Sequence, residues 1–278
     1  MTIADPVLSP GVPFAKGHGT ENDFVLLPDP DGMLDLTPTQ VRALCDRHAG
    51  IGADGVIRIA PAPAGSDAFL IMDYRNADGS YAEMCGNGAR LFGRYLVDAG
   101  WAPPGRVMFA TRGGTRTAEV PAAGDVTIEM GPATLGVTSS AHVAGREFVG
   151  VAVDVGNPHL VCVTDDLTTL DLTVQPEFDS EVFPNGVNIE FVVVLGPDNV
   201  AMRVHERGVG ETRSCGTGTV AVAAAHLAAE GRSTGTVTVR VPGGTVGVTI
   251  TDGDSLLTGP AVVVASGTID RDFWERHR

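Results

Sequence analysis

Two stretches of the chain, MCGNGARLFGRYLVDAG at 84–100 and SCGTGTVAVAAAHLAAEG at 214–231, share one design: Cys-Gly-x-Gly, then an apolar run that ends on a glycine. Counterparts lie 130 positions apart, Cys85 with Cys215, and the same spacing carries TRGGTR at 111–116 onto VPGGTV at 241–246. MGPA at 130–133 answers TGPA at 258–261 with a slip of two, and upstream FLIMDYRNADG faces NVAMRVHERGV. An internal repeat of about half the chain narrows the possible architectures sharply. Two copies are too few for a solenoid, so they face each other as similar halves across a pseudo-two-fold axis. Each half is then a strand-rich unit around one helix, which starts at the cysteine and stops at Gly100 or Gly231. Both helix starts point at a shared cleft, where ligands bind by preference.

With 278 residues, 43% of them hydrophobic, the chain can bury one large core or two medium ones. Its net charge of −15 argues against nucleic acid or an anionic membrane surface as partner. No segment reaches the length of a membrane span, and MTIADPVLSPGVPF lacks the basic and apolar regions of a secretory leader. A cytoplasmic protein is expected. Of the four cysteines, no two form C-x-x-C, so no thiolate zinc site is expected, and the cytoplasmic setting argues against structural disulfides. Cys45 falls at helical spacing with Val41, Leu44 and His48, and Cys162 lies in a short apolar strand; both read as small core residues. Lys16 is the only lysine and so the only candidate for a pyridoxal Schiff base. GIGADG spells a dinucleotide fingerprint, but it follows a helix and precedes the strand VIRIA, the reverse of the required order.

Cys85 and Cys215 are different, because each opens a helix. A helix N-terminus presents unpaired N–H groups and partial positive charge, which favour a thiolate and cradle a carboxylate. That location is expected to lower a thiol from roughly 8.5 toward neutrality, where acid–base work is efficient. One thiol on each face of a bound carbon suits inversion of a stereocentre: one removes the α-proton and the other supplies a new one. The first helical residues, Gly86 and Asn87 with Gly216 and Thr217, are the expected cradle for the α-carboxylate and for the charge that develops on it. This arrangement requires no metal and no organic cofactor.

The segments KGHGTENDFVLLPD, CDRHAGIGADGV, MDYRNADGSYAEMCGNGAR, VDVGNPHL, GVNIEF and HERGVGETRSCGTGT resemble, in order and over nearly the whole chain, the motifs of the diaminopimelate epimerases. The resemblance implies a cofactor-independent isomerase that interconverts LL- and meso-2,6-diaminopimelate, on the path to lysine and peptidoglycan. It implies an α+β fold of two pseudo-symmetric domains, each a mostly antiparallel sheet curled around a central helix. The domains would be 1–132 and 133–261, with 262–278 returning to the first. His159 would assist Cys85, and Glu206 would assist Cys215. Asn22, Asn76, Asn157, Asn188 and Arg207, with Glu206, would bind a small substrate carrying two amino-acid heads, and the chain would act as a homodimer. Gly55 stands where many of these epimerases carry a glutamine near the substrate. A proline-type racemase and a dithiol redox protein remain the alternatives. The first typically shows C-G-H-G at its first cysteine and the second favours C-x-x-C.

Overall fold

The computed structural model describes residues 11–278, so the reading of the first ten residues as no secretory leader lies outside it. The first half runs β1 (Val12–Gly19), β2 (Asn22–Pro28), α1 (Pro38–Cys45), β3 (Gly55–Pro61), β4 (Leu70–Asn76), α2 (Gly86–Asp98), β5 (Gly105–Thr111), β6 (Gly114–Val120) and β7 (Val126–Glu129). The second runs β8 (Thr134–Val143), β9 (Arg146–Asp154), β10 (Pro158–Val163), β11 (Glu177–Phe178), β12 (Asn188–Gly196), β13 (Asn199–Glu206), β14 (Gly210–Thr212), α3 (Gly216–Ala229), β15 (Gly235–Val241), β16 (Gly244–Ile250) and β17 (Ser255–Gly259). β18 (Val262–Ile269) and α4 (Arg271–Arg276) follow.

Strand pairing makes one continuous ladder: β18-β1-β2-β3-β4-β5-β6-β7-β17-β16-β15-β13-β12-β10-β9-β8. It is symmetric about the β7–β17 pair. Each side has two parallel steps, β2–β3 with β4–β5 and β10–β12 with β13–β15, and is otherwise antiparallel. The small strands β14 and β11 add to β13 and β8. β18 therefore pairs with β1, at the far edge from the strands that precede it in sequence.

The helices sit inside this frame. α3 is apolar on every side, and Val220, Ala221, Val222, Ala223 and Leu227 are buried, as expected of a helix enclosed by its sheet. α2 packs Phe92 on Phe109 of β5 at 4.8 Å between ring centroids. Both end before a glycine in the left-handed region, Gly100 and Gly231, each at φ +73°. α1 is capped by Thr37 and Gln40 acting reciprocally and packs with Trp274 of α4 against β2 and β3. It stops at Cys45, short of His48, because Asp46 turns its carboxylate onto the N–H groups of His48 and Ala49. Cys45 and Cys162 are buried in apolar clusters, as expected.

The repeat extends to single hydrogen bonds. Gly113 N–H donates to the Glu83 carbonyl at 3.1 Å, and its mate Gly243 donates to the Arg213 carbonyl at 2.9 Å. Their surroundings differ. The β1–β2 hairpin turns on Thr20 and Glu21 at φ +53° and +59°, which only glycine, asparagine and aspartate adopt readily. This turn presses on the second half: a Cβ on Gly243 would lie 1.9 Å from the Thr20 carbonyl oxygen, while one on Gly113 would meet ordinary contacts at 3.5 Å. Gly243→Ala should therefore cost about 1–3 kcal/mol in urea unfolding. Gly113→Ala should stay within about 0.5 kcal/mol. Equal effects at the two positions would contradict the packing described.

Candidate active site

The two cysteines close matching turns. Cys85 is the N-cap of α2 at φ −138°, ψ 117°, and its sulfur accepts from the Gly88 N–H at 3.5 Å. Cys215 caps α3 at φ −120°, ψ 117°, accepting from the Gly218 N–H at 3.4 Å. Each sulfur thus takes the place usually held by a serine or aspartate oxygen at the positive end of a helix. The two turns touch. A Cβ on Gly216 would lie 3.3 Å from the Gly86 Cα, and one on Gly86 would meet the end of the Met130 side chain at 3.0 Å, so both positions are tight for any larger residue.

Buried polar groups tie the turns together. Asn87 donates its amide to the Ser214 carbonyl at 3.1 Å, to the Ser214 hydroxyl at 3.2 Å and to Asn22 Oδ1 at 3.2 Å, while its Oδ1 accepts from Arg90 at 2.9 Å. Its side chain serves the protein, and its backbone N–H is directed at the Cys85 sulfur. Asn22 is likewise fixed: its Nδ2 donates to Asp54 at 2.8 Å, and Oδ1 faces the Cys85 sulfur at 3.6 Å. Asp54 is held by Arg47, which also binds Asp23, and Asp23 pairs with Lys16 Nζ at 2.5 Å. The lysine considered for a Schiff base is thus an internal counter-ion, and with Arg47 it holds the Asp23 carboxyl at about 2 against the opposing effect of burial.

The second half contributes all but one of the remaining predicted side chains. Glu206 accepts from the Thr212 hydroxyl and hydrogen-bonds the Cys215 thiol; burial, with the charge of Glu190 adding to it, raises its carboxyl above the usual range. Thr217 places its hydroxyl 3.6 Å from the Cys215 sulfur. The two ring nitrogens of His159 bond Glu190 at 2.7 Å and Asn157 at 3.1 Å, so exchange of a proton with Cys85 requires the Asn157 contact to open. Asn188 accepts from the Arg207 N–H at 2.9 Å, and the Arg207 guanidinium donates to the Asn185 carbonyl at 2.9 Å. Asn76, in the first half, donates its amide to the Ser80 hydroxyl at 3.0 Å. An opening lined by Asp23, Arg47 and Asp54 on one side and Thr212 and Arg213 on the other lies between the halves, bridged by a Glu21–Arg213 ion pair.

Four further residues belong to this site and were not singled out from the sequence. Arg90 is fully buried, hydrogen-bonded to Thr20 at 2.8 Å and to Asn87, and burial lowers it to about 10; among the described residues its Nη1 has no partner. Glu190 is fully buried against His159. Ser214 receives Asn87. Tyr74 occupies the space that a side chain at position 55 would need: a Cβ on Gly55 would lie 2.6 Å from the Tyr74 ring. That ring feels the charges of Cys85 and Glu206, and burial raises its hydroxyl well above the ordinary tyrosine value.

One sequence expectation is reversed. Burial, with the charge of Glu206 adding to it, pushes the Cys85 thiol up to about 11, although the Gly88 and Asn87 N–H groups and the Arg90 charge pull it down. Burial, then the charges of Glu206 and Glu190, push Cys215 well above the usual thiol range. Desolvation of a closed cleft outweighs the helix terminus. Iodoacetamide should therefore label Cys85 slowly at pH 7, with the rate climbing toward pH 11 and Cys215 lagging behind, as followed by peptide mapping of the substrate-free protein. Labelling at neutral pH as fast as that of free cysteine would contradict this ordering.

Comparison with known proteins agrees with the geometry. A sequence model of the family described as diaminopimelate epimerase matches residues 14–136 and 151–264. The diaminopimelate epimerase of Rhodococcus erythropolis is 52% identical over 284 residues, covering 94% of this chain and 97% of that protein. That of Mycolicibacterium smegmatis is 51% identical, covering 94% and 98%. Among solved structures, a PhzF-family phenazine biosynthesis protein from Bacillus anthracis superposes with a TM-score of 0.69 at 14% identity, over 94% of this chain and 99% of that one. A hydroxyproline epimerase from Agrobacterium vitis gives 0.67 at 16%, over 95% and 94%. At such identities the structural matches speak for the fold alone, two pseudo-symmetric halves of the α+β class.

Proposed function

We infer the division of labour in the cleft from one premise: this chain belongs to the diaminopimelate epimerase family. Its reaction is the epimerisation of diaminopimelate, LL to meso, at one α-carbon. What supports a two-base route is the close approach of the two cysteine turns, with a Cβ on Gly216 only 3.3 Å from the Gly86 Cα. A substrate α-carboxylate between them would be held by the first N–H groups of the two helices, those of Gly86, Asn87, Gly216 and Thr217. The thiolate of one cysteine takes the α-proton: the Cα–H bond breaks, an S–H bond forms, and the electron pair delocalises onto the carboxylate at the two helix ends. The opposite thiol then delivers its proton to the other face, forming a new Cα–H bond and leaving a thiolate. Net, one hydrogen has been exchanged and the thiols have swapped states. His159 for Cys85 and Glu206 for Cys215 return them to the starting state through solvent.

The raised thiols fit this scheme. A desolvated thiolate is a stronger base than one in water, and the α-ammonium group of the arriving substrate supplies the positive charge that makes it affordable. Cys85 feels one carboxylate, Glu206, offset in part by Arg90, whereas Cys215 feels two, Glu206 and Glu190, which favours Cys85 as the base and Cys215 as the acid at the outset. Arg207, with Asn22, Asn76, Asn157 and Asn188, is assigned to the two amino-acid heads, Arg207 taking the distal carboxylate. We assign residues 1–132 and 133–261 to the two domains, with 262–278 returning; the pairing of β18 with β1 and the packing of Trp274 beside α1 support that return. A cytoplasmic homodimer serving lysine and peptidoglycan synthesis completes the reading.

The test is conversion of LL-diaminopimelate to the meso form without added cofactor, followed by chiral chromatography. Cys85→Ala and Cys215→Ala should each lose roughly a thousandfold or more in kcat while keeping the native melting curve. Arg207→Ala should lose about a hundredfold in kcat/KM. Near-native turnover by either cysteine variant would overturn the two-base assignment, and equal activity on L-lysine would overturn recognition of the distal head.

A further inference from the structure

The two halves are equivalent in backbone and unlike in what they bury beneath the cysteine turns. Asn76 and Glu206 are mates 130 residues apart. Pairing sets Gly55 opposite Asn76 and, one step past Ile189–His205, Asn188 opposite Glu206, so β3 and β12 align with Gly55 on Asn188 and Ile57 on Glu190. The neighbouring parallel strands align Phe24 on His159, since Phe24 is level with Gly55 and His159 with Asn188. Beneath the Cys85 turn the fold is apolar: a Cβ on Gly88 would meet Ile57 at 3.0 Å, Met72 at 3.0 Å and Phe24 at 3.4 Å. Beneath the Cys215 turn, the same positions hold Glu190 and His159, with Met202 as the mate of Met72.

The scaffold therefore does not need a charged pair there. Glu190 and His159 are both 0% exposed, with Glu190 Oε1 2.7 Å from His159 Nδ1. Burying this pair is costly, and an apolar pair of similar size is the more stable solution, as the first half illustrates. The Glu190 carboxylate also reaches the thiol's own turn: a Cβ on Gly218 would lie 2.6 Å from its Oε1 and 3.3 Å from the Cys215 sulfur. Its second oxygen, Oε2, is buried and has no hydrogen-bond partner among the described residues.

We propose that Glu190 is a positioning residue of the second half-site, locking the ring of His159 through Nδ1 and setting a fixed negative charge beside the turn that carries Cys215. The inference rests on the epimerase reading. With a carboxylate as acceptor, Nδ1 carries a hydrogen in either charge state of the ring. All proton exchange is then confined to Nε2, which donates to Asn157 Oδ1 as imidazolium and accepts from the same amide, turned over, when neutral. The groups facing Cys215 are Glu206 from β13, Glu190 from β12 and the Gly218 N–H and Thr217 hydroxyl of α3, with His159 of β10 behind Glu190. The charges that face Cys85 are Glu206 and the cation of α2, Arg90, with Glu190 not among them. Removing the charge of Glu190 thus acts on one thiol and not on the other.

The experiment uses the whole protein with two variants. Glu190→Gln keeps the shape and a hydrogen-bonding group but loses the charge; His159→Phe with Glu190→Ile installs the apolar pair of the first half. In substrate-free protein, Glu190→Gln should lower the pH at which iodoacetamide half-labels Cys215 by about one unit, leaving the Cys85 profile in place. It should also cut kcat about tenfold or more with little change in KM. The double variant should fold with a melting temperature at or above the parent's and be inactive. An unchanged Cys215 profile together with unchanged kcat in Glu190→Gln would overturn the proposal, as would equal shifts at both cysteines. The labelling result stands apart from turnover: failure of the parent protein to epimerise diaminopimelate would sink the epimerase reading and leave the question of Glu190 to the Cys215 profile.

Discussion

The structure depends on two helix N-termini brought almost into contact. Gly86 and Gly216 meet at the start of α2 and α3, over the seam where β7 pairs with β17. Two positive helix ends directed at one point repel each other when nothing lies between them, so the arrangement is unfavourable for the empty protein and favourable for an anion in the gap. The backbone around them is correspondingly committed: glycine at both contact points, a tied pair of β-hairpins behind them, and the strained Thr20–Glu21 turn pressed onto Gly243. A carboxylate that gains charge during reaction gains most from this focus, since the donors are in place before the charge appears.

A symmetric frame would make the two faces of the substrate equal, and the buried charges prevent that. Arg90 of α2 has Val220 as its mate in α3; Glu190 and His159 replace Ile57 and Phe24. Cys85 is left with Glu206 and the opposing cation Arg90, and Cys215 with Glu206 and Glu190. The Asn87 side chain, which reaches from the Cys85 turn to Ser214 and is itself oriented by Arg90, ties the two turns together.

Much of this was legible in the sequence because the repeat is written in residues with strict geometric needs. Glycines at 86, 88, 216 and 218, the paired Gly-Gly-Thr turns and the glycines after each helix mark the same elements twice. The charged groups were not legible for a physical reason. Arg90 and Arg94 read as the solvent side of a helix until the sheet is seen to enclose α2, and Glu190 sits in the otherwise apolar run NIEFVVV without a motif around it. Strand periodicity does place Asn188 and Glu190 on one face, which was the available signal. The direction of the thiol shifts was misread because a helix terminus is a local property, while burial belongs to the closed tertiary structure.

The central claim is that one thiol removes the α-proton and a different one replaces it. Its most direct test is the initial-rate reaction of LL-diaminopimelate in D₂O, with deuterium counted separately in product and in recovered substrate. Two bases on opposite faces predict a full deuterium at the inverted α-carbon of the first meso product formed, with recovered LL substrate still essentially all protium. Product that retains the original proton, or substrate that exchanges as fast as product forms, would mean a single base serving both faces and would contradict the account.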